Sequence, residues 1–121
     1  MSESLPAPCA IDVSEDALSV RLALSGDANM DAVDAVAAAL DGAHARALSS
    51  GRGTVIVDVT RLEFMNSTCF KKVLTWIGKL AEADPPPYVI RFLSDPRIRW
   101  QKRSLHALEA FAAGVVTVER T

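Results

Sequence analysis

A dense run of β-branched residues, Thr-Val-Ile-Val-Asp-Val-Thr, occupies positions 54–60. A run of this kind without alternation is typical of a strand in the middle of a sheet, buried on both faces. The glycines in Gly51-Arg52-Gly53 precede this strand, whereas a phosphate-binding loop follows a strand and opens a helix, so they predict a turn. A helical pattern begins soon afterwards, at Asn66. The segment therefore predicts a central strand that leads into a helix, as in parallel α/β sheets.

The flanking sequence supplies the other elements of such a sheet. Further strands are predicted at residues 9–13, 17–24, 88–93 and 115–118, of which the first two pair antiparallel through a turn at 14–16. Helices are predicted at residues 29–48, capped by Asp27 or Asn29, at 66–80, and from Asp95-Pro96 onward. The fold class is a single small α/β sandwich, with helices packed on a mixed, mostly parallel sheet of about five strands. One domain spans residues 10–121, after a flexible tail at 1–9.

Helical spacing of apolar residues predicts which positions enter the core. In the first helix these positions are Met30, Val33, Ala37, Leu40, His44 and Leu48. In the second helix they are Phe70, Val73, Leu74, Ile77 and Leu80. In the third helix they are Ile98, Leu105, Leu108 and Ala112. We expect His44 to be a packed or half-exposed helix residue.

Composition limits the classes of function. The formal net charge of −2 over 121 residues is too small to predict nucleic acid or an anionic membrane as a partner. No apolar run approaches the roughly 20 residues that cross a bilayer, and the first residues lack a signal-peptide pattern, so we expect a cytoplasmic protein. Cys9 and Cys69 are too few for a disulfide framework or a zinc site. We therefore expect two reduced thiols, no metal and no other cofactor.

Reactive side chains do not converge on a catalytic motif. His44 and His106 lie on different predicted helices, away from any linked serine, cysteine or acid, which predicts that the chain is not an enzyme. Cys69, in the first turn of the second helix, is either a thiol activated by the helix dipole or a small buried hydrophobe. A basic cluster either receives an acidic partner or a phosphate, or is a solvated helix face: Arg97, Arg99, Lys102 and Arg103 around Trp100.

Residues 62–70, Leu-Glu-Phe-Met-Asn-Ser-Thr-Cys-Phe, join the carboxyl end of the central strand to a helix N-terminus. This is the usual functional edge of an α/β sheet. Ser67 and Thr68 fall at or just inside the helix cap, and capping alone would explain one of them. A phosphate on either adds about −1.5 to −2 charges beside the positive end of the helix. The fold would tolerate that charge while a partner surface built for a hydroxyl would not, which predicts a switch.

Over residues 11–119, the order of elements resembles the STAS domain of bacterial anti-sigma factor antagonists. In that family a buried strand ending in aspartate leads through an apolar pair into Asp-Ser-Ser-Gly and a helix, and the counterparts here are residues 55–58, 62–65 and 66–69. The resemblance implies that Ser67, or as second choice Thr68, is phosphorylated by a histidine-kinase-like ATPase that doubles as an anti-sigma factor. Phosphorylation would then release the complex. Asn66 replaces the family's aspartate and Cys69 its glycine, which adds bulk where a partner would approach.

We expect a regulatory interaction module of transcriptional signal transduction, with partner contacts at Asn66, Lys71, Lys72 and Asp58. A constitutive, non-phosphorylated scaffold is the alternative hypothesis. A third hypothesis is a carrier of a small ligand, a lipid or a nucleotide, in a pocket beneath the second helix. Trp76 and Phe70 would line that pocket, although core packing also explains both.

Overall fold

The computed structural model describes residues 9–121, so residues 1–8 of the predicted tail lie outside the described residues. The elements in chain order are β1 (Ala10–Glu15), β2 (Ser19–Ala28), a 3-10 turn (Met30–Ala32), α1 (Val33–Ser50), β3 (Thr54–Met65), α2 (Ser67–Glu82), β4 (Val89–Ser94), α3 (Arg99–Phe111) and β5 (Val116–Arg120). The strands form one sheet in the order β1-β2-β3-β4-β5, antiparallel between β1 and β2 and parallel elsewhere. The predicted five-stranded, mostly parallel α/β fold is confirmed. No helix within residues 9–121 combines the length and apolar character needed to cross a membrane.

Helices cover only one face of the sheet. The strand residues that are buried share that face and align across β2, β3, β4 and β5: Val20, Leu22 and Leu24, then Val55, Val57 and Val59, then Ile90 and Phe92, then Val116. The intervening β3 residues, Ile56, Asp58 and Thr60, stay partly exposed on the other face. The prediction that residues 54–60 are buried on both faces is therefore wrong. Each parallel crossover advances one strand in the same direction, and right-handed crossovers of this kind place all the helices on one side.

The buried face of α1 differs from the predicted stripe. Met30 is 65% exposed and Leu48 51% exposed. The buried residues of α1 are Val36, Leu40, Ala43 and Ala47, of which only Leu40 belongs to the predicted stripe. The 3-10 turn at Met30–Ala32 winds more tightly than an α-helix and changes the angular position of Met30 relative to α1. In α2 and α3, by contrast, the predicted core positions Val73, Ile77, Leu80, Leu105, Leu108 and Ala112 are confirmed as buried.

The predicted start of the third helix is wrong, and the predicted cap of the first helix is right only in its position at Asn29. α3 begins at Arg99, because Asp95 instead forms a tight turn in which its carboxylate accepts the Arg97 N–H at 2.9 Å and its carbonyl accepts the Ile98 N–H at 3.0 Å. Asp27 belongs to β2. Asn29 occupies the N-cap position of the 3-10 turn, but its side chain makes no capping bond. α1 ends at the glycine-rich loop as expected, because Gly51, the residue after Ser50, takes the left-handed conformation with φ +67°.

A buried glutamine, Gln101, joins α3 to β3. Pairing between β3 and β4 ends at Asp58, although β3 continues to Met65. The Gln101 amide nitrogen donates to the Val59 and Leu62 carbonyls, the latter at 3.0 Å, and its oxygen accepts an N–H at 2.9 Å from the residue after β4. These bonds satisfy backbone groups that have lost their strand partner. The extended end of β3 is therefore held by the first turn of α3.

The buried face of α1 can be tested with two leucines that the sequence pattern treats alike. Leu40 is 3% exposed and Leu48 is 51% exposed. We expect Leu40→Ala to lower the free energy of unfolding by about 2–5 kcal/mol, and Leu48→Ala to change it by no more than about 0.5 kcal/mol. Urea unfolding followed by circular dichroism measures both. Equal losses would contradict the orientation of α1.

Candidate functional site

Asn66 forms the joint between β3 and α2. It has extended backbone angles, φ −74° and ψ 166°, and its side-chain oxygen accepts the Cys69 N–H at 2.8 Å. Its own N–H donates to the Ala28 carbonyl at the end of β2, at 2.9 Å. Ser67 is the first residue of α2, just inside the cap as predicted, but Asn66 supplies the capping atom. The exposed Ser67 hydroxyl is thus not needed for capping.

Cys69 points into the core. Its side chain is fully buried, and Sγ lies 3.6 Å from the Asn29 carbonyl oxygen. Burial raises the pKa of the Cys69 thiol, which keeps it protonated and supports the interpretation as a small buried hydrophobe. The expectation that Cys69 adds bulk to the partner-facing surface is wrong, because the side chain lies on the opposite side of the helix turn from solvent. Cys9 is also a free thiol and packs against the core.

Two exposed apolar side chains accompany Ser67. Phe64, 44% exposed, pairs in register with Asp27 near the ends of β3 and β2. Met30 opens the 3-10 turn that contacts α2. We define the Ser67 surface as Met30, Phe64, Asn66, Ser67 and Lys71. It combines a free hydroxyl, a helix N-terminus, one lysine and solvated apolar area, a composition suited to docking a protein.

The sequence pattern does not reveal Met30 and Phe64 as exposed surface residues. It places Met30 in the core stripe of the first helix and Phe64 in the link between the central strand and the second helix. The register between β2 and β3 shifts twice, between Ala23 and Ser25 and between Gly26 and Asp27. Such bulges change which face a side chain takes, so alternation alone cannot place Phe64. The available signal was the position of both residues beside a strand's carboxyl end.

The two predicted lysines lie on different sides of α2. Lys71 follows Ser67 by one helical turn and is exposed on the same side. Lys72 lines an open groove of about 570 Å³ between α1 and α2, together with Asp41 and Lys79. The structure therefore brings Lys71, but not Lys72, to the Ser67 surface.

Asp58 lies apart from the Ser67 surface, on the open face of the sheet. Asp58 pairs with Ala23 of β2, and Met65, at the end of β3, pairs with Ala28. At about 3.3 Å per residue along β2, roughly 17 Å separates Asp58 from the start of α2. Asp58 accepts an Arg21 guanidinium hydrogen bond at 2.5 Å and the Thr60 hydroxyl at 2.6 Å. Burial raises the pKa of Asp58, but the Thr60 hydrogen bonds and Arg21 outweigh it and hold that pKa below its ordinary value. Asp58 thus links β2 to β3 through its bond to Arg21.

The remaining candidate groups have structural partners. His44 is half-buried, and its Nδ1 lies 2.7 Å from the Tyr88 hydroxyl, which accepts the Trp76 indole N–H at 2.8 Å. Trp76 and Phe70 line an internal cavity of only about 10 Å³, close to the room of one water molecule, which supports core packing for both. Within residues 9–121, no three histidine, cysteine or acidic side chains group as metal ligands.

Comparison with known proteins places this fold. No protein-family model and no curated protein matches the chain. An anti-sigma factor antagonist from Mycobacterium paratuberculosis matches with a TM-score of 0.67 at 16% identity, over 90% of this chain and 88% of that one. The anti-sigma factor antagonist SpoIIAA in its unphosphorylated form matches with a TM-score of 0.59 at 20% identity, over 91% and 88% of the two chains. An uncharacterized protein from Shewanella loihica with a SpoIIAA-like fold matches with a TM-score of 0.56 at 17% identity, over 98% and 90%.

The class that these matches define is the SpoIIAA-like α/β fold, over about nine-tenths of the chain. The resemblance to anti-sigma factor antagonists is thus confirmed for the fold. At identities of 16% to 20% the matches show the fold alone.

The capping role of Asn66 can be tested by comparison with Ser67, whose hydroxyl takes no part in the cap. We expect Asn66→Ala to lower the free energy of unfolding by about 1 kcal/mol, because it removes the acceptor for the Cys69 N–H. Asn66→Asp keeps an acceptor oxygen, and Ser67→Ala removes a hydroxyl outside the cap, so both should stay within about 0.5 kcal/mol of wild type. Thermal and urea unfolding measure the three variants. A larger loss for Ser67→Ala than for Asn66→Ala would contradict this assignment.

Asp58 makes a second prediction, on the pH dependence of stability. A carboxyl with a lowered pKa in the folded chain stabilises the fold fully above its unfolded pKa of about 3.9, and that contribution is lost as the pH falls toward the folded pKa. Between pH of about 5 and 3, stability should therefore fall less steeply in Asp58→Asn than in wild type. Thr60→Val, which removes a hydrogen bond to the carboxylate, should also flatten the profile. Identical slopes in all three proteins would exclude the effect.

Proposed function

We propose that this chain is a regulatory interaction domain, resembling an anti-sigma factor antagonist, whose binding to a protein partner is controlled by phosphorylation of Ser67. The partner is a serine kinase of the histidine-kinase-like ATPase type that also acts as an anti-sigma factor. The regulatory unit is a single domain over residues 10–121, acts in the cytoplasm, binds through its surface and performs no catalysis of its own. The observation that carries the proposal is that Ser67, the first residue of α2, is exposed and its hydroxyl takes no part in capping the helix.

The first step concerns the phosphorylated state of the free protein. A phosphate on Ser67 adds about −1.5 to −2 charges at the positive end of the α2 dipole. Lys71 lies one turn away on the same side and adds a positive charge. Because Asn66 rather than Ser67 holds the cap, phosphorylation leaves the β3–α2 joint intact. The fold therefore accommodates the phosphate without rearrangement.

The second step concerns the complex. A partner that covers the Ser67 surface must remove water from the exposed side chains of Phe64 and Met30 as well as from the hydroxyl. A phosphate in the middle of that contact would lose its hydration, and the single charge of Lys71 would not balance about −1.5 to −2 charges unless the partner supplied a further cation. Phosphorylation therefore favours the free protein over the complex, and the modification acts as a release switch.

Three further observations support the proposal. The solved structures of similar fold include SpoIIAA in both an unphosphorylated and a phosphorylated form, the latter with a TM-score of 0.55. Thr68 is partly buried, unlike the exposed Ser67, so it is the second choice as acceptor. The inward direction of Cys69 leaves the surface open at the position where the family motif has glycine.

The test is a pull-down from the native cell extract with wild type, Ser67→Ala and Ser67→Asp as baits. We expect a histidine-kinase-like ATPase to be retained by wild type and Ser67→Ala, and its retention to fall at least about tenfold with Ser67→Asp, equivalent to about 1.4 kcal/mol. Incubated with that ATPase and ATP, wild type should gain the mass of one phosphate and Ser67→Ala should gain none.

A matched control is Thr75→Asp, which adds the same charge to α2 two turns from Ser67. It should bind like wild type. Phosphorylation that persists in Ser67→Ala and disappears in Thr68→Val would move the acceptor to Thr68. Equal retention by all baits, with no phosphate transfer, would refute the switch and support the constitutive scaffold.

A further inference from the structure

The exposed side of α3 and the end of β5 form an open groove of about 1010 Å³. We call it the basic groove and define it by Arg99, Trp100, Lys102, Arg103, His106 and Arg120. No carboxylate lines it. Among residues 9–121, none of its four arginine and lysine side chains has a carboxylate oxygen within 4.0 Å. Arg97, which the sequence grouped with them, is instead held by Asp95 at 2.9 Å.

The arrangement of these cations is unfavourable within the isolated chain. Arg99 lies three residues before Lys102 and four before Arg103, so like charges face each other along one side of the helix. Arg99 and Lys102 lie in the first turn of α3, where the helix dipole disfavours positive charge. A negatively charged occupant would relieve both effects.

Hydrogen bonds to β3 hold the first turn of α3, which carries part of the groove, in a fixed position. The Trp100 indole N–H donates to the Leu62 carbonyl at 2.9 Å, and the neighbouring Gln101, 1% exposed, bonds to β3 and to the chain after β4. The backbone that carries Arg99 and Lys102 is therefore fixed before any partner arrives. Preorganisation of this kind lowers the entropy cost of binding.

We propose that the basic groove binds a short acidic segment of a protein partner. Arg99 to His106 spans about 10 Å at 1.5 Å per residue, the length of two helical turns, which matches the carboxylates of one short peptide segment. A nucleic acid or a bilayer extends well past so small a patch. The rest of the chain carries a negative balance, since the net charge is −2 with the groove's cations included, and would repel such a polyanion. The groove acts independently of Ser67, because none of its residues belongs to the Ser67 surface.

The test uses fluorescence anisotropy with a labelled peptide of about 12 residues in which glutamate recurs at helical spacing. Wild type should bind it, and added salt should weaken binding. Arg99→Glu/Arg103→Glu should weaken binding at least about tenfold, with Arg99→Gln/Arg103→Gln intermediate. The control Lys72→Glu/Lys79→Glu makes the same change in net charge on α2 and should stay within about twofold of wild type. Circular dichroism and urea unfolding check that every variant folds.

Failure of wild type to bind the peptide would overturn the proposal, as would equal weakening by the α2 control. Tighter groove-dependent binding of an oligouridine RNA or of anionic lipid vesicles than of the peptide would overturn it in favour of those partners. The assay contains neither kinase nor ATP, so its outcome is separate from that of the Ser67 switch.

Discussion

The structure depends on which donors hydrogen-bond to the backbone carbonyls of β3 beyond the point where its pairing with β4 ends. Beyond Asp58 that strand pairs only with β2, and a buried carbonyl left without a donor costs about 1–3 kcal/mol. The side chains of Gln101 and Trp100 supply the donors, to Val59 and Leu62. The extended strand and the first turn of α3 therefore form one rigid unit. That unit positions both surfaces of interest, the Ser67 surface at the strand's end and the basic groove on the helix.

A second consequence follows from the one-sided helix layer. The open face of the sheet carries ion pairs, Arg21 with Asp58 and Arg91 with Glu119, beside half-buried apolar residues. Exposed pairs of this kind contribute little to stability, about 0–1 kcal/mol each, but they keep a sheet face polar without a second helix layer. The proposed Ser67 surface lies instead at the carboxyl edge of the strands, beyond the two register shifts between β2 and β3.

The sequence predicted those features that large side chains signal. The β-branched run at 54–60 and the period of α2 identified the central strand and its helix, because both patterns involve bulky residues in regular elements. The sequence did not predict which face of α1 is buried, because Ala43 and Ala47 carry too little apolar surface to mark that face. Asn66, Ser67 and Thr68 are all residue types favoured at a helix N-cap, so residue preference alone could not identify the cap. The backbone geometry identifies it as Asn66.

The departure at Asn66 bears on the proposed switch. An aspartate at this position would cap the helix equally well but would place a carboxylate beside the Ser67 phosphate. Two unit charges 4 Å apart repel by about 1 kcal/mol in water and about 4 kcal/mol at an effective dielectric constant of 20. The neutral amide keeps the hydrogen bond to Cys69 and avoids this repulsion, while Lys71 contributes attraction from the same side. Under the proposed function, Asn66 therefore stabilises the phosphorylated, released state, and the substitution shifts the balance of the switch without removing its chemistry.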